Sequence, residues 1–298
     1  MSRAFSRIQP HFLTALLIAL CFFLPARASE KNAETEWRIV IARDVYTDYQ
    51  RFIGQRDPLT LQHFSGPYSR RDVVELVLLQ QALQRGGASR PLRFVLTDSE
   101  SRTLKTLAHG EADIGGASSW KSSISPYSEH LQISRAVIAQ GRFMAGLYFP
   151  EGHPALQSLP TRPQDISRYT AICADSWEPD LVALKSLGST VLKTENWESM
   201  LGMLKKQRGD FLLAPFQPTI DMRLKAGDMV LLPVRGLKVS LAGSRHFVFW
   251  QQGKQSEILR KALDHGIESL ERDGTLQRAY RESGFDNSAL QSWRVLNP

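Results

Sequence analysis

The chain has 298 residues, 42% hydrophobic and 22% charged, the balance of an ordinary globular protein with room for one large or two medium domains. Its net charge of +7 comes from 37 basic against 30 acidic residues, too diffuse for the clustered basic stripe of a nucleic-acid binder, so no nucleic-acid partner is expected. Two cysteines cannot build a disulfide scaffold, which leaves burial to hold the core.

In chain order, the first element is a leader. Arg3 and Arg7 precede the apolar run from Phe12 to Leu24, and Ala26-Arg27-Ala28 follows Pro25 with small residues at the two recognition positions. This is the pattern of a secretory signal peptide over residues 1–28, cleaved after Ala28. The run is shorter than the roughly 20 apolar residues that span a bilayer. The leader holds three arginines and no acid, so 34 basic residues remain against 30 acidic ones. Cys21 leaves with it, and Cys173, set in the apolar run YTAICA, reads as a buried small hydrophobe rather than a nucleophile.

WRIVIA, from Trp37, is continuous enough in its apolar character for a strand covered on both faces. A long loop is expected next. It ends at Ser69-Arg70-Arg71-Asp72, whose capping-box spacing opens the helix VVELVLLQQALQR, and Gly86-Gly87 stops it. LRFVLTD is a strand, SRTLKTLAHG a helix and ADIGGAS a strand, an order that implies a parallel sheet with right-handed crossovers. Ala136 to Tyr148 is apolar and strand-like, and near it and the turn-rich GHPALQSLPTRPQDI the chain is expected to cross into a second lobe.

The second half repeats the design: TAICAD, EPDLVALKSLG, TVLKT, NWESMLGMLKKQRG and DFLLAP alternate strand and helix. Leu104, Leu107, Gly110, Asp113 and Ile114 align with Leu201, Leu204, Gly209, Asp210 and Phe211, with one shift in spacing before the aspartate. VSLAGSRHFVFW reads as a returning strand, and SEILRKALDHGIESLERDG as a long amphipathic helix between Ser256 and Gly274.

An exported chain with the run LKTLAHGEADIGGAS, a crossing strand followed by EGHPAL, a lobe ending GDFLLAP and the tail ALDHGIESLERDGTLQRAYRESGF resembles the periplasmic solute-binding proteins of type II topology. The nearest group in that resemblance is the amino-acid-binding family 3 of ABC-type transporters. It covers about Trp37 to Phe285, and its most specific pieces are the G-E-A-D-I junction and the final D-G-T-x-x-x-x-Y-x-x-x-G-F. The resemblance implies an α/β two-lobe fold, each lobe a mostly parallel sheet flanked by helices, with two crossing strands as a hinge. Lobe 1 would comprise residues 29–140 and 243–298, and lobe 2 residues 141–242. It further implies a monomeric periplasmic binder of a small-molecule ligand, without a cofactor, whose partner is an inner-membrane permease or a membrane sensor protein.

In such a fold, strand ends and helix amino termini face one cleft, and helix amino termini favour anions, so the expected solute is small and polar or anionic. Asp44 and Tyr46 follow the first strand, with Tyr46 as the aromatic wall of the cleft. Ser99 and Glu100 follow the second strand, where they equally suit capping of the next helix. Ser118, Ser119 and Trp120 follow Gly115-Gly116, where backbone is open to a ligand. Trp177 lies between a strand and a helix of the second lobe, either against the ligand or packed between lobes. Phe216 and Gln217 end DFLLAP.

The resemblance breaks at two places. Amino-acid receptors carry an arginine for the ligand carboxylate shortly after the third strand, where SSWKSSISPYSEH offers Lys121, and an aspartate for the ammonium where Phe216-Gln217 stands. Arg71, Arg142 and Arg245 are the candidates for a replacement anion clamp. No nucleophile elbow, metal-binding helix or phosphate loop is present. The six histidines beyond the leader lack ligand spacing, so neither catalysis nor a metal is expected.

Overall fold

In the computed structural model, which describes residues 36–158, 162–251 and 255–297, two six-stranded sheets and a two-stranded one are built from a chain that passes between the larger two three times. The signal peptide expected over residues 1–28 lies outside the described residues. No helix among them is long and apolar enough to cross a membrane.

The first sheet grows from β1 (Trp37–Ala42), whose Ile39, Val40 and Ile41 are fully or almost fully buried. It pairs in parallel with β2 (Leu92–Thr97) and with β3 (Ile114–Gly115). The returning strand β13 (Arg245–Trp250) lies antiparallel to β3, to β4 (Ser119–Trp120) and to β5 (Leu131–Ile138).

The long loop expected after β1 is instead helix α1 (Arg43–Ile53). Its buried residues, Val45, Tyr49, Phe52 and Ile53, recur at helical intervals, a period present in the sequence but interleaved with polar residues. Helix α2 (Arg71–Arg85) forms as expected, without the capping box: its N-cap is Arg70, and the Ser69 hydroxyl turns away to donate to the Phe64 carbonyl at 2.5 Å. Helix α3 (Glu100–Ala108) is capped by Ser99, which accepts from the Arg102 N–H at 3.3 Å.

The first crossing is a short link between β5 and β6 (Phe143–Pro150), so the stretch read as one crossing strand is two, joined by residues 139–142. In the second sheet β6 is antiparallel to β9 (Leu212–Pro215), to β11 (Met229–Pro233), itself paired with β10 (Leu224–Ala226), and to β12 (Leu237–Leu241). A parallel pair, β7 (Thr170–Ala174) and β8 (Thr190–Thr194), is wrapped by α4 (Glu178–Ser186) and α5 (Trp197–Lys205). The second sheet is therefore mixed rather than mostly parallel. β10 and β11 follow each other through a two-residue turn, which antiparallel pairing allows and parallel pairing does not.

The internal repeat is more regular than its sequence alignment. The caps Ser99 and Asn196, the buried Leu104 and Leu204 with their partners Leu201 and Leu107, and Asp113 and Asp210 share a constant offset of 97 residues. Gly110 at that offset faces Gln207, not Gly209, and both adopt the left-handed conformation just past their helix, φ 71° and 53°. The two aspartates do the same work. Asp113 accepts the Arg38 N–H of β1 at 2.8 Å, and Asp210 accepts the Thr170 N–H of β7 at 2.7 Å. Each thereby fixes the start of a parallel strand.

Helix α6 (Gln255–Arg272) crosses α2 where Gly86 meets the Ala262 backbone and Gly266 meets the Ala82 backbone. After α7 (Thr275–Glu282) the chain leaves the first sheet, and β14 (Arg294–Val295) pairs in parallel with β12. The final residues of the segment expected wholly in lobe 1 thus join the second sheet. The Asn297 side chain extends that ladder with two 2.9 Å bonds to the Ser240 backbone.

Candidate functional site

The carboxyl ends of β1, β7 and β9, the turn after β3, and the amino termini of α2, α3 and α5 surround one cavity of about 210 Å³. One wall comes from the first sheet and its helices, the other from the second. Of the expected site residues, Asp44, Arg71, Ser99, Glu100, Ser118, Ser119, Trp177, Gln217 and Arg245 line it.

Four do not. Tyr46 sits two positions beyond Asp44 on α1, so its ring is turned onto Phe94 (4.6 Å between centroids) and Tyr49. Trp120 is 2% exposed and packs on Phe143 at 4.9 Å, beneath the Arg245 guanidinium at 4.8 Å. It supports a cavity residue rather than gripping a ligand. Arg142 is exposed in the link between β5 and β6. Phe216 is 1% exposed, edge-on to Trp293 at 5.4 Å and close to Tyr148, in a small cluster beneath the second sheet.

The arginines form a bonded floor. Arg70, which the sequence reading passed over, meets Asp72 at 2.7 Å, Asp44 at 2.9 Å and Asp48 at 3.1 Å. Burial works against its charge, but these three carboxylates outweigh it and raise its pKa. Arg71 pairs with Glu75 at 2.8 Å. Glu75 has no exposure at all, and also accepts the Ser118 N–H and hydroxyl, both at 2.9 Å, and the Tyr280 hydroxyl at 3.1 Å. Arg245 donates its Nε to the Ser118 hydroxyl at 3.1 Å and its Nη2 to the Ser118 carbonyl. Burial, then the neighbouring Arg71, lowers its pKa from the ordinary arginine value. A buried acid thus ties α2, α7 and the β3–β4 turn into one network, its charge met by Arg71 and its oxygens by Ser118 and Tyr280.

Two buried polar atoms at the cavity have no hydrogen-bond partner among the described residues: Arg71 Nε and Glu100 Oε1. Glu100 Oε1 lies 4.0 Å from Arg245 Nη2, beyond hydrogen-bond reach. On the facing wall, the rings of Trp177 and Trp197 lie 6.5 Å apart and inclined by 25°. Trp197, with its neighbours Glu195, Asn196 and Glu198, was missed in the sequence. The signal was available: the 97-residue offset carries Asp98-Ser99-Glu100-Ser101 onto these four residues. Among the described residues no group of three or more histidine, cysteine, aspartate or glutamate side chains is arranged to hold a metal ion. Cys173 is buried and free, and burial pushes its thiol pKa up, away from reactivity.

No protein-family model matches the sequence, and no curated protein matches it significantly. Solved structures do match. The VFT2 domain of BvgS from Bordetella pertussis, in a double-mutant form, is 16% identical with a TM-score of 0.52, covering 90% of this chain and 98% of its own. An amino acid ABC transporter substrate-binding protein, AbpA from Streptococcus pneumoniae, bound to L-arginine, is 14% identical with a TM-score of 0.53, covering 87% and 100%. ArgBP from T. maritima, in a mutant form, is 12% identical with a TM-score of 0.50, covering 86% and 97%. At these identities the likeness is one of fold: the chain has the two-lobe α/β fold of the type II periplasmic binding proteins.

Proposed function

We propose that the protein is a periplasmic binder that captures one small polar solute between its lobes and delivers it to an inner-membrane permease. The observation that carries this reading is the interlobe cavity itself, with buried charged side chains on one wall, a tryptophan pair on the other and two polar atoms left without partners. Such a site gains its full set of contacts only when both lobes touch the same ligand, which couples binding to closure. The export leader and the match to a transporter's substrate-binding protein support the location and the partner. The Ser118 hydroxyl, its Glu75 acceptor and the arginines are all engaged in bonds that tie elements together, which favours binding over turnover.

The test is a thermal-unfolding screen of the mature protein against small-solute classes. A true ligand at about 100 times its Kd adds about 2.7 kcal/mol, a shift of several degrees for a chain of this size. Trp177→Ala is expected to weaken the hit at least tenfold with the ligand-free midpoint unchanged. Trp120→Ala is expected to lower that midpoint, since truncating a buried tryptophan costs about 3–5 kcal/mol. A well-folded protein with no response to any solute would overturn the reading.

A further inference from the structure

Resting on that reading, we infer that the group this cleft selects is a nitrogen cation, an ammonium or guanidinium, held between the Glu100 carboxylate and the Trp177–Trp197 pair of the opposite wall. The sequence suggested the reverse. Helix amino termini attract anions, and several arginines stood where strands meet helices.

The structure shows that both attractions are already answered from within the chain. Each of the three helices whose amino termini border the cavity carries its own carboxylate in the first turn: Asp72 on α2, Glu100 on α3 and Glu198 on α5. Arg70 is enclosed by three aspartates and Arg71 is paired with Glu75. Arg245 is bonded to Ser118 and lies over the Trp120 face. Glu100 Oε1 stands 4.0 Å from Arg245 Nη2, so an incoming carboxylate would meet three arginines that each already face an acid.

Of the two polar atoms left without a partner at the cavity, one belongs to an acid. Glu100 Oε1 is a buried acceptor with no donor in hydrogen-bond reach among the described residues, Arg245 Nη2 standing 4.0 Å away, and a donor on the ligand would complete it. Glu195 and Glu198 add exposed negative charge beside Trp197 on the same cavity. The half-buried, nearly parallel rings of Trp177 and Trp197 present the negative face that a desolvated organic cation prefers. Closure brings that face toward Glu100, so the cation is the group both lobes share. The other unpartnered atom, Arg71 Nε, requires one acceptor atom, which a hydroxyl, carbonyl or water supplies as well as a carboxylate does.

Isothermal titration of the protein with agmatine, arginine and succinate separates the possibilities. Agmatine carries the cations without a carboxylate, arginine adds the carboxylate, and succinate has only anions. Agmatine is expected to bind within about tenfold of arginine, with no heat from succinate, and Glu100→Gln should weaken agmatine by about ten- to a hundredfold at an unchanged unfolding midpoint. If E100Q alters the midpoint, Trp197→Ala replaces it, with the same expected loss. Succinate binding, arginine binding without agmatine, or variants that bind agmatine like the parent would each overturn the inference. Silence toward all three, alongside a hit from another solute class, overturns the cation and leaves the solute binder standing. Silence toward every solute overturns both.

Discussion

Asp180 is the residue whose charge state is least settled by its surroundings. It is 6% exposed near the start of α4, and burial, opposed by Arg245 and reinforced by Glu100, pushes its carboxyl up to about 7. An aspartate in the unfolded chain titrates near 4. The native state therefore holds this proton more tightly, and the group's contribution falls as pH rises from about 4 to about 7, where a charge must be buried. Asp180→Asn is expected to raise the unfolding midpoint by several degrees at pH 8 and by little at pH 4.5. Thermal unfolding of both proteins across that range checks it, and a gain independent of pH would contradict the burial argument. The same attention to single residues explains why nine of the expected cleft residues reach the cavity and four do not. All thirteen follow strand ends or flank crossings, but Tyr46 is two helix positions from Asp44, about 200° around α1, and so faces away from the cleft.

Among the elements, the crossing of α2 and α6 is set by glycine. Gly266 lies in the middle of α6, where alanine would gain about 1 kcal/mol in helix propensity. A Cβ there would meet the Ala82 backbone carbonyl, which cannot rotate aside as a side chain would. The clash should win: Gly266→Ala is expected to cost about 2 kcal/mol or more, read as a lower urea midpoint at unchanged slope. A rise in the midpoint would mean the helices do not approach so closely. Most elements were legible because their periods are local. VVELVLLQQALQR, LRFVLTD and TAICAD carry apolar patterns that need no partner to be recognised. α1 was hidden by its polar residues, and the hairpin β10–β11 by strands only three and five residues long.

Over the whole molecule, the tail beyond Phe285 adds a third connection between lobes. It reaches the second sheet through β14, the Asn297 bonds to Ser240 and the Trp293 ring against Phe216. Just before the tail, Gly284 lies directly against the Gln217–Pro218 backbone, and Gln217 lines the cavity. A chain stopped after Asp286 is expected to lose about 5 °C or more in its unfolding midpoint, since it removes Leu290 and Trp293 and uncovers Phe216 and Met222. An unchanged midpoint would make the tail an ornament of the second sheet.

Most of the alternation of strands and helices, the twin aspartate junctions and the buried Cys173 were determined by the sequence alone, because each depends on residues close together in the chain. The charge of the cleft was decided only by the tertiary structure. Arg70 finds Asp44 from 26 positions away and Ser118 finds Glu75 from 43, and no local pattern records such pairings. Which arginines remain free for a ligand depends on distances through space, where a carboxylate at 3 Å counts and its place in the sequence does not.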